Sequence, residues 1–423
     1  MSLARPQRMT VNAVSLMFAT IATNALGFVF WIVAARVRGA SVVGGAFAEI
    51  AALTLLATLV QLNMTNVFIR LLPVAGRFTA TFIARGYLAV TALALIVGSA
   101  FVASGLGGVV VPASGFERAL FVLAVALFAI FALQDSVLTA LRIAHWVPAE
   151  NVSFASVKLA LLPLLAFLPP RLGIVLAWML PVAVAVIAVN VLLFRGPVGR
   201  TRRMETGELP GRSRLLSFIA AEYACMLCAT ATLQVIPLIV LWRLGAISEA
   251  YFSLPWLACL AITLLLWNIG AAFVVAVTAH PDQTPELLRR SLRLGGAVVL
   301  AAVLGCCLAG PLILRLAGPG YEHGASLMRL VGLSAPFTAA TVIYSAFAWI
   351  EQRLWRLVAI QAGTGLLLIA LSLVLLPDLG IAAVGWAYIA AQSAAAILMA
   401  PSLRARLSTR AALGPAVPLK GLP

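Results

Sequence analysis

Charged side chains are scarce in this sequence. They make up 10% of its 423 residues, whereas 63% of the residues are hydrophobic and the mean hydropathy is +1.09. A soluble domain has about 25% charged residues, so a chain of this composition would lack a wettable surface. The scarcity of charge excludes a soluble globular protein and indicates a polytopic membrane protein.

Signals for metal binding, nucleotide binding and enzymatic chemistry are also missing. Cys225 and Cys228 have CxxC spacing without a second ligand pair, so the five cysteines are predicted to be small apolar fillers. Neither Lys158 nor Lys420 stands in a GxxxxGK[ST] phosphate loop. The polar segments are short loops, too small to form a soluble active site. We therefore predict that the chain is not an enzyme and has no cofactor, apart from a coupling proton or sodium ion.

Long apolar runs fill the chain instead. About 20 apolar residues suffice for a helix to cross a hydrocarbon core of ~30 Å. Such runs form helices in lipid because the backbone must satisfy its hydrogen bonds internally. We predict an all-α membrane protein of twelve transmembrane helices, at 12–34, 41–63, 82–104, 118–140, 152–169, 172–194, 215–241, 247–278, 294–314, 324–350, 357–376 and 380–401.

Arginines and lysines are concentrated on one side of these spans. They lie mainly in the segments that share a side with the N-terminus, and cytoplasmic loops carry such an excess. We therefore predict a multi-pass protein of the cell membrane with both termini in the cytoplasm. The net charge of +16 then meets anionic lipid headgroups, which are expected partners, whereas nucleic acid is not.

Two pairs of similar segments recur in the two halves of the chain. LPPRLGIVLAW (Leu168–Trp178) and LPDLGIAAVGW (Leu376–Trp386) each connect the fifth and sixth spans of a half, and RVRGASVVGGAF (Arg36–Phe47) and WRLGAISEAYF (Trp242–Phe252) each connect the first and second. This order favours an internal duplication with parallel repeats. We predict an N-terminal six-helix bundle at 1–194, a cytoplasmic linker at 195–214, a C-terminal six-helix bundle at 215–401 and a basic cytoplasmic tail at 402–423.

Three segments carry a family resemblance. They are NALGFVFWIVAARVRGASVVGGAFAEIAAL (Asn24–Leu53), NVFIRLLP (Asn66–Pro73) and LPDLGIAAVGWAYIAA (Leu376–Ala391). Together with the six-plus-six pattern, they resemble the MATE-like superfamily of multidrug, oligosaccharidyl-lipid and polysaccharide exporters (MOP). Within it, the Wzx-type O-antigen and polysaccharide flippases are the most similar branch.

The resemblance implies a fold and a substrate. It implies two helical bundles around a central cavity that opens alternately to either side. The implied substrate is a glycan on a polyprenyl pyrophosphate carrier, moved from the inner to the outer leaflet, with glycosyltransferases or the polymerase of the same pathway as partners. Drug antiporters of the superfamily use buried carboxylates for cation coupling, and the first span lacks one. An ion-coupled drug antiporter of the same fold is the alternative; a membrane enzyme or polymerase is less favoured because no large outer loop is present.

Charges inside the predicted spans are the first candidates for a functional site, because burying them in lipid is costly. Asp135 and Lys158 are predicted to lie ~10 Å inside the cytoplasmic face. They form an ion pair, or Lys158 faces the cavity and attracts a pyrophosphate, or it snorkels to the interface. Glu222 binds a coupling proton or sodium ion, or pairs with a loop arginine; Asp135 is the second coupling candidate. Glu49 and Arg329 receive no role.

Amides and arginines of the cavity-lining spans are the second group of candidates. Three amides lie within the spans: Asn24, Gln234 and Asn268. They either tie neighbouring helices together, at about 0.6 kcal/mol each, or line a wet cavity that binds sugar hydroxyls. Three arginines lie at the outer ends of the same spans: Arg36, Arg38 and Arg243. They either receive the pyrophosphate on exit or anchor the helix ends at the headgroups.

Overall fold

The structure is a computed structural model and describes residues 23–112, 114–141, 143, 146–201, 212–351 and 353–408. Helices and short turns make up these residues, and no strand occurs among them. Contacts divide the chain into two compact units, the first ending at Glu249 and the second beginning at Ala250. The predicted all-helical class is confirmed for the part of the chain that is described.

The first unit is built around one enclosed helix. Its elements are α1 (Thr23–Val37), α2 (Ala40–Val60), α3 (Met64–Ala75), a 3₁₀ turn (Gly76–Phe78), α4 (Thr79–Ala103), α5 (Gly105–Val110), α6 (Gly115–Ala140), α7 (Trp146–Leu164), α8 (Pro170–Arg195), α9 (Pro197–Thr201) and the start of α10 (Arg212–Ala279). In α2, 72% of the most apolar stretch is buried, against 22% for the segment Met64–Ala103. Its glycines and alanines let neighbouring helices approach closely.

The second unit has a different enclosed helix. Its elements are the rest of α10, a 3₁₀ turn (Pro281–Gln283), α11 (Thr284–Leu304), a π turn (Gly305–Ala309), α12 (Gly310–Ala317), a 3₁₀ turn (Tyr321–Gly324), α13 (Ala325–Ile350), α14 (Leu354–Leu379) and α15 (Ala382–Ser408). In the segment containing α13, 61% of the most apolar stretch is buried, against 17% for the segment containing α11 and α12. Helix α13 therefore forms the centre of this unit.

Nine segments of the described chain are helical, long and apolar enough to cross a membrane. Helix α1 is shorter than these, and residues 12–22 of the predicted first span lie outside the described residues. Helix α7, which contains the predicted fifth span, is not among the nine. The predicted seventh and eighth spans both fall within α10. A multi-pass helical membrane protein is thus confirmed, and the count of twelve helices stays a prediction.

The segment predicted as a cytoplasmic linker begins inside the first unit. Helix α9 lies within it, and Val198 is buried in the core that α2, α4 and α6 also form. Residues 202–211 of the linker and residues 409–423 of the tail lie outside the described residues. The predicted bundle boundaries and the parallel repeat therefore stay predictions.

Glycine has different functions in the two copies of the repeated motif. A Cβ on Gly173 would lie 2.8 Å from the carbonyl oxygen of Leu165, so the first turn of α8 approaches the end of α7 too closely for a side chain. Gly380 instead follows the last turn of α14 with φ +56°, in the left-handed region that glycine favours. The two motifs are alike in sequence, but each glycine serves a local requirement of its own.

Candidate functional site

Lys158 lies in an aromatic cage in the first unit. Its side chain is 3% exposed, and its Nζ is 3.7 Å from the ring centroid of Trp178, 4.8 Å from that of Phe154 and 5.5 Å from that of Phe30. Phe154 precedes Lys158 by one turn on α7, so both side chains lie on the same helix face. The other two rings come from α8 and α1. A cation over several ring faces is attracted by their negative quadrupoles, most strongly where water is excluded.

Of the three arrangements predicted for Lys158, the ion pair with Asp135 is wrong, because no salt bridge joins these two residues. Asp135 receives a hydrogen bond from the side chain of Asn151. The rings of Phe131 on α6 and Phe154 on α7 are also in contact, with 5.5 Å between their centroids. These two contacts fix the register of the α6–α7 pair. Lys158 is seven residues beyond Asn151, which is about 10 Å along the helix. Asp135 and Lys158 therefore lie about two helical turns apart. They were predicted to lie at equal depth below the cytoplasmic face because α7 was expected to start later in the sequence than it does.

A large apolar cavity lies beside the cage. It has a volume of about 770 Å³ and is lined by residues of α6, α7, α8 and the start of α9. Phe154 contributes to both the cavity wall and the cage. Glu150 is an acidic residue of this wall, and neither of its carboxylate oxygens has a hydrogen-bond partner within the described residues. The charge of Asp135 lies close enough to act on Glu150. The cavity thus combines a wide apolar surface with one acidic residue, Glu150.

Glu222 on α10 is paired with an arginine. Its side chain is buried, with Arg70 Nη2 3.8 Å from Oε1 and Asn63 Nδ2 3.4 Å from Oε2. The adjacent Tyr223 donates its hydroxyl hydrogen bond to the carbonyl of Leu59 at 2.6 Å. This is the arginine pairing that was one of the two expected arrangements. The ion-coupling role of Glu222 stays a prediction.

The same site holds a strained turn between α2 and α3. Leu62 (φ +46°) and Asn63 (φ +61°) are the positive-φ residues other than glycine in the described part of the chain. Such conformations cost about 1–3 kcal/mol and persist where the surroundings enforce them. Asn63 is held from two sides, because it donates to Glu222 and accepts from Asn66 Nδ2 at 2.7 Å. Glu222 therefore takes part in stabilising this turn.

The three candidate arginines have separate environments. Arg38 donates from Nη2 to the carbonyl of Ala166 at 3.0 Å, at the connection between α7 and α8. Arg36 is exposed at the end of α1. Arg243 is exposed on α10, with its Cζ 4.4 Å from the ring centroid of Trp242. Arg38 thus stabilises the connection between α7 and α8. A role for the three arginines in pyrophosphate binding stays a prediction.

The candidate amides are all half-buried. Asn24 lies in the first turns of α1, and Gln234 and Asn268 lie within α10. Across the described ranges, no hydrogen bond to Gln234 or Asn268 is formed by another side chain or by the backbone. Their donors and acceptors are thus available to water or to a ligand.

Three acidic residues of the helices received no role from the sequence: Glu49, which was considered, and Glu150 and Glu249, which were not. Glu49 on α2 forms an ion pair with Arg171 at 2.9 Å, and Arg171 also donates to the carbonyl of Val110. Glu150 was treated as part of a loop, because α7 starts earlier than the predicted span. Glu249 is fully buried on α10. Its position inside the predicted eighth span, four residues after Gly245, could have identified it as a candidate from the sequence.

Cysteine and histidine build no metal site in the described ranges. Groups of three or more His, Cys, Asp or Glu side chains that would hold a metal ion do not occur among these residues. Cys225 is buried and Cys228 half-buried, and both are free thiols.

Known proteins resemble this chain in structure rather than in sequence. No protein-family model matches the sequence, and no curated protein matches it. The MATE multidrug transporter DinF-BH superposes with a TM-score of 0.66 and 16% identity, over 95% of this chain and 96% of that chain. An inward-facing multidrug resistance MATE family transporter of the MOP superfamily gives 0.65 and 14%, over 94% and 98%. A MOP superfamily transporter from Pyrococcus furiosus, described by a reverse polarity of its binding pocket, gives 0.53 and 14%, over 94% and 95%.

At these identities the likeness concerns the fold. It extends over nearly the whole of each chain, and it agrees with the apolar helices of the described residues. The resemblance to the Wzx-type branch is finer than this likeness and stays a prediction. The chain is a multi-pass helical membrane protein with the fold of the MATE transporters of the MOP superfamily.

Proposed function

We propose that this chain is a flippase that moves a polyprenyl-pyrophosphate-linked oligosaccharide from the inner to the outer leaflet by alternating access. The MATE-like fold supports a membrane transporter. The sequence segments that resemble Wzx-type flippases support the lipid-linked glycan as substrate. The single observation that carries this choice of substrate is the buried lysine on α7.

Lys158 places a basic amino group inside the membrane-embedded part of the first unit, where a bound pyrophosphate would stabilise its charged form. It is 3% exposed and forms no salt bridge with a carboxylate of the described residues. An uncompensated cation at membrane depth is costly, and such residues typically serve a substrate pathway. It attracts a pyrophosphate and repels an organic cation. The amides of Gln234 and Asn268 have no hydrogen-bond partner among the described residues and offer hydrogen bonds to sugar hydroxyls. Asn24 is proposed to contact the sugar as well.

Other residues complete the proposed cycle. Arg36, Arg38 and Arg243 receive the pyrophosphate at the outer ends of their helices. Glu222 and Asp135 bind the coupling proton or sodium ion. Anionic lipids contact the basic cytoplasmic loops. Glycosyltransferases or the polymerase of the same pathway supply and consume the glycan.

The second candidate function is an ion-coupled drug antiporter of the same fold. The cavity of about 770 Å³ favours it, because its wall is almost entirely apolar and Glu150 contributes a carboxylate without a hydrogen-bond partner among the described residues. A wide apolar pocket with one negative group suits a lipophilic organic cation. The two functions thus depend on charges of opposite sign, which makes them separable by mutation.

The test is a leaflet assay in cells that lack the gene. The polyprenyl-linked glycan is detected with a probe that reaches the outer leaflet alone. A flippase predicts that the glycan accumulates on the cytoplasmic leaflet and that the wild-type chain restores its export. Normal export without the gene would contradict the proposal.

Two charge-removing variants separate the candidates. Lys158→Met is expected to abolish rescue of glycan export, whereas Glu150→Gln retains it. A drug antiporter predicts the reverse sensitivity in efflux of a fluorescent lipophilic cation. Glu286→Gln is the matched control, because Glu286 is exposed on α11 and its loss is expected to change neither readout.

A further inference from the structure

The apolar cavity of the first unit has the depth of one lipid leaflet. On α7 its wall extends from Glu150 to Leu161, which is about 16 Å along the helix axis. On α8 it extends from Leu180 to Leu192, and Pro197 at the start of α9 completes the same end as Glu150. A hydrocarbon core is ~30 Å thick, so the cavity covers about half of it. In the predicted orientation this half is the cytoplasmic leaflet.

The long part of the cavity is lined by exposed apolar side chains. Val157 on α7 and three residues of α8 line it and are exposed: Leu180, Val184 and Leu192. Exposed apolar surface of this kind on a membrane-spanning unit is covered by hydrocarbon rather than by water. A hydrocarbon chain is therefore the ligand that fits this part of the cavity.

The other end of the cavity offers hydrogen-bond acceptors. Both carboxylate oxygens of Glu150 are buried and have no hydrogen-bond partner in the described ranges. Tyr87 on α4 is close enough to feel the charge of Glu150, and its hydroxyl oxygen is also without a partner there. Asp135 adds a second negative charge nearby. A primary ammonium group has one positive charge and three N–H donors, so it matches these three oxygens.

The same charges disfavour two other headgroups. A choline headgroup has no N–H donor and would leave the buried oxygens unpaired, which is costly. A pyrophosphate would place its negative charge against Glu150 and Asp135. The phosphodiester of a phospholipid has a separate partner, because Arg195 is exposed in the last turn of α8, two residues before Pro197.

We propose that this cavity binds an amine-bearing phospholipid of the cytoplasmic leaflet, of the phosphatidylethanolamine type. An acyl chain fills the apolar part, the ammonium group donates to Glu150 and Tyr87, and the phosphodiester lies beside Arg195. The bound lipid bridges α6, α7 and α8 and stabilises their packing. The proposal depends on neither candidate transport function, and the lipid occupies the space that the second candidate gives to an organic cation.

Native mass spectrometry of the purified full-length protein tests the headgroup. The probes are phosphatidylethanolamine and phosphatidylcholine with identical acyl chains. Wild type is expected to retain the ethanolamine lipid about ten-fold more strongly, the factor expected for one lost hydrogen bond. Glu150→Gln removes the negative charge and should lose this preference, whereas Glu286→Gln on α11 should keep it. Equal retention of the two lipids by wild type, or an unchanged preference in Glu150→Gln, would overturn the proposal.

A pair of adjacent variants on α8 tests the position of the acyl chain. Ala188 lines the cavity, whereas Ile187 does not, and both are exposed, so a larger side chain is expected to be tolerated at either position. Ala188→Phe should lose the bound ethanolamine lipid and Ile187→Phe should retain it, with thermal unfolding as the check on folding. Ala185→Phe fills the same cavity if Ala188→Phe does not fold. Full retention of the lipid by a folded cavity-filling variant would contradict the site.

Competition between ligands decides which of them the cavity takes. Polyprenyl pyrophosphate and a fluorescent lipophilic cation are each added to wild type that carries the ethanolamine lipid. Continued retention of the phospholipid in Ile187→Phe and wild type supports the proposal. Its displacement by either competitor at equal concentration, with the competitor failing to bind Ala188→Phe, would assign the cavity to that ligand and overturn the proposal.

Discussion

At the scale of single residues, the buried charges of the first unit are accommodated by different means. Glu49 has a close ion pair with Arg171, whereas Lys158 has aromatic rings and no carboxylate in the described residues. A paired ion loses much when its partner is removed, because the remaining charge stays buried. An ion held by ring faces carries its desolvation cost with little compensation. The two sites should therefore respond in opposite ways to neutralisation.

Replacing Arg171 with Met should be strongly destabilising. The change leaves Glu49, whose side chain is 5% exposed, without its counter-ion, and breaking a buried pair costs about 3–5 kcal/mol. Because the Arg171 side chain is 25% exposed, we expect a loss near the lower end of that range. Thermal unfolding of the detergent-solubilised protein measures it. Adding Glu49→Gln should recover part of the lost stability, and additive losses in the double variant would contradict an ion pair.

Replacing Lys158 with Met should leave stability unchanged or raise it. The lost cation–π attraction is worth about 2 kcal/mol, while burying an ammonium costs several kcal/mol. Methionine has a similar length and keeps contact with Trp178 and Phe154. The midpoint of thermal unfolding is the measurement. A fall of several kcal/mol would identify Lys158 as a structural residue and would weaken its place in the proposed substrate path.

At the scale of elements, the break in α10 requires glycine. The φ and ψ values of Gly245 lie in a region that is essentially restricted to glycine, and a side chain there costs about 1–3 kcal/mol. Space is not the limitation, because no atom would lie within 4 Å of a Cβ at this position. Gly245→Ala should therefore lower stability by that amount through backbone strain alone, as measured by thermal unfolding. Gly296→Ala in α11 is the control, since its surroundings are equally open and its φ is not positive; the same loss in both would contradict this account.

Helices were predictable as elements, and their lateral contacts were not. Apolar runs located most of the helices, and the Leu-Pro and Gly signals located the connections between α7 and α8 and between α14 and α15. The aromatic surroundings of Lys158 were not predicted, because they depend on the register between α6 and α7. A shift of the helix start by a few residues moves a side chain by a full turn, about 5.4 Å.

At the scale of the whole molecule, the membrane class was readable from composition, but the packing was not. Lipid-facing and protein-facing sides of a membrane helix are both apolar, so hydropathy does not reveal which side packs on a neighbour. The enclosed helices, α2 and α13, are not equivalent in the predicted six-plus-six repeat. The motif tryptophans also differ: Trp178 lies in the Lys158 cage, whereas Trp386 is 53% exposed. Equivalent sequence therefore does not imply an equivalent environment here.

The length of α10 leads to a prediction about how the chain crosses the membrane. Its 68 residues would extend about 100 Å if straight, roughly three times the thickness of a hydrocarbon core. We therefore predict that α10 crosses the membrane twice and turns back near Gly245, where Trp242 is 52% exposed, as is usual for tryptophan at the membrane interface. In a background without the native cysteines, Arg243→Cys should react with a membrane-impermeant thiol reagent added outside intact cells. Arg290→Cys on α11 is exposed and predicted to be cytoplasmic, because loops rich in arginine and lysine face the cytoplasm. It should therefore react only after the membrane is opened. Labelling of both positions from outside would contradict a double crossing, and the reverse pattern would invert the predicted orientation of the chain.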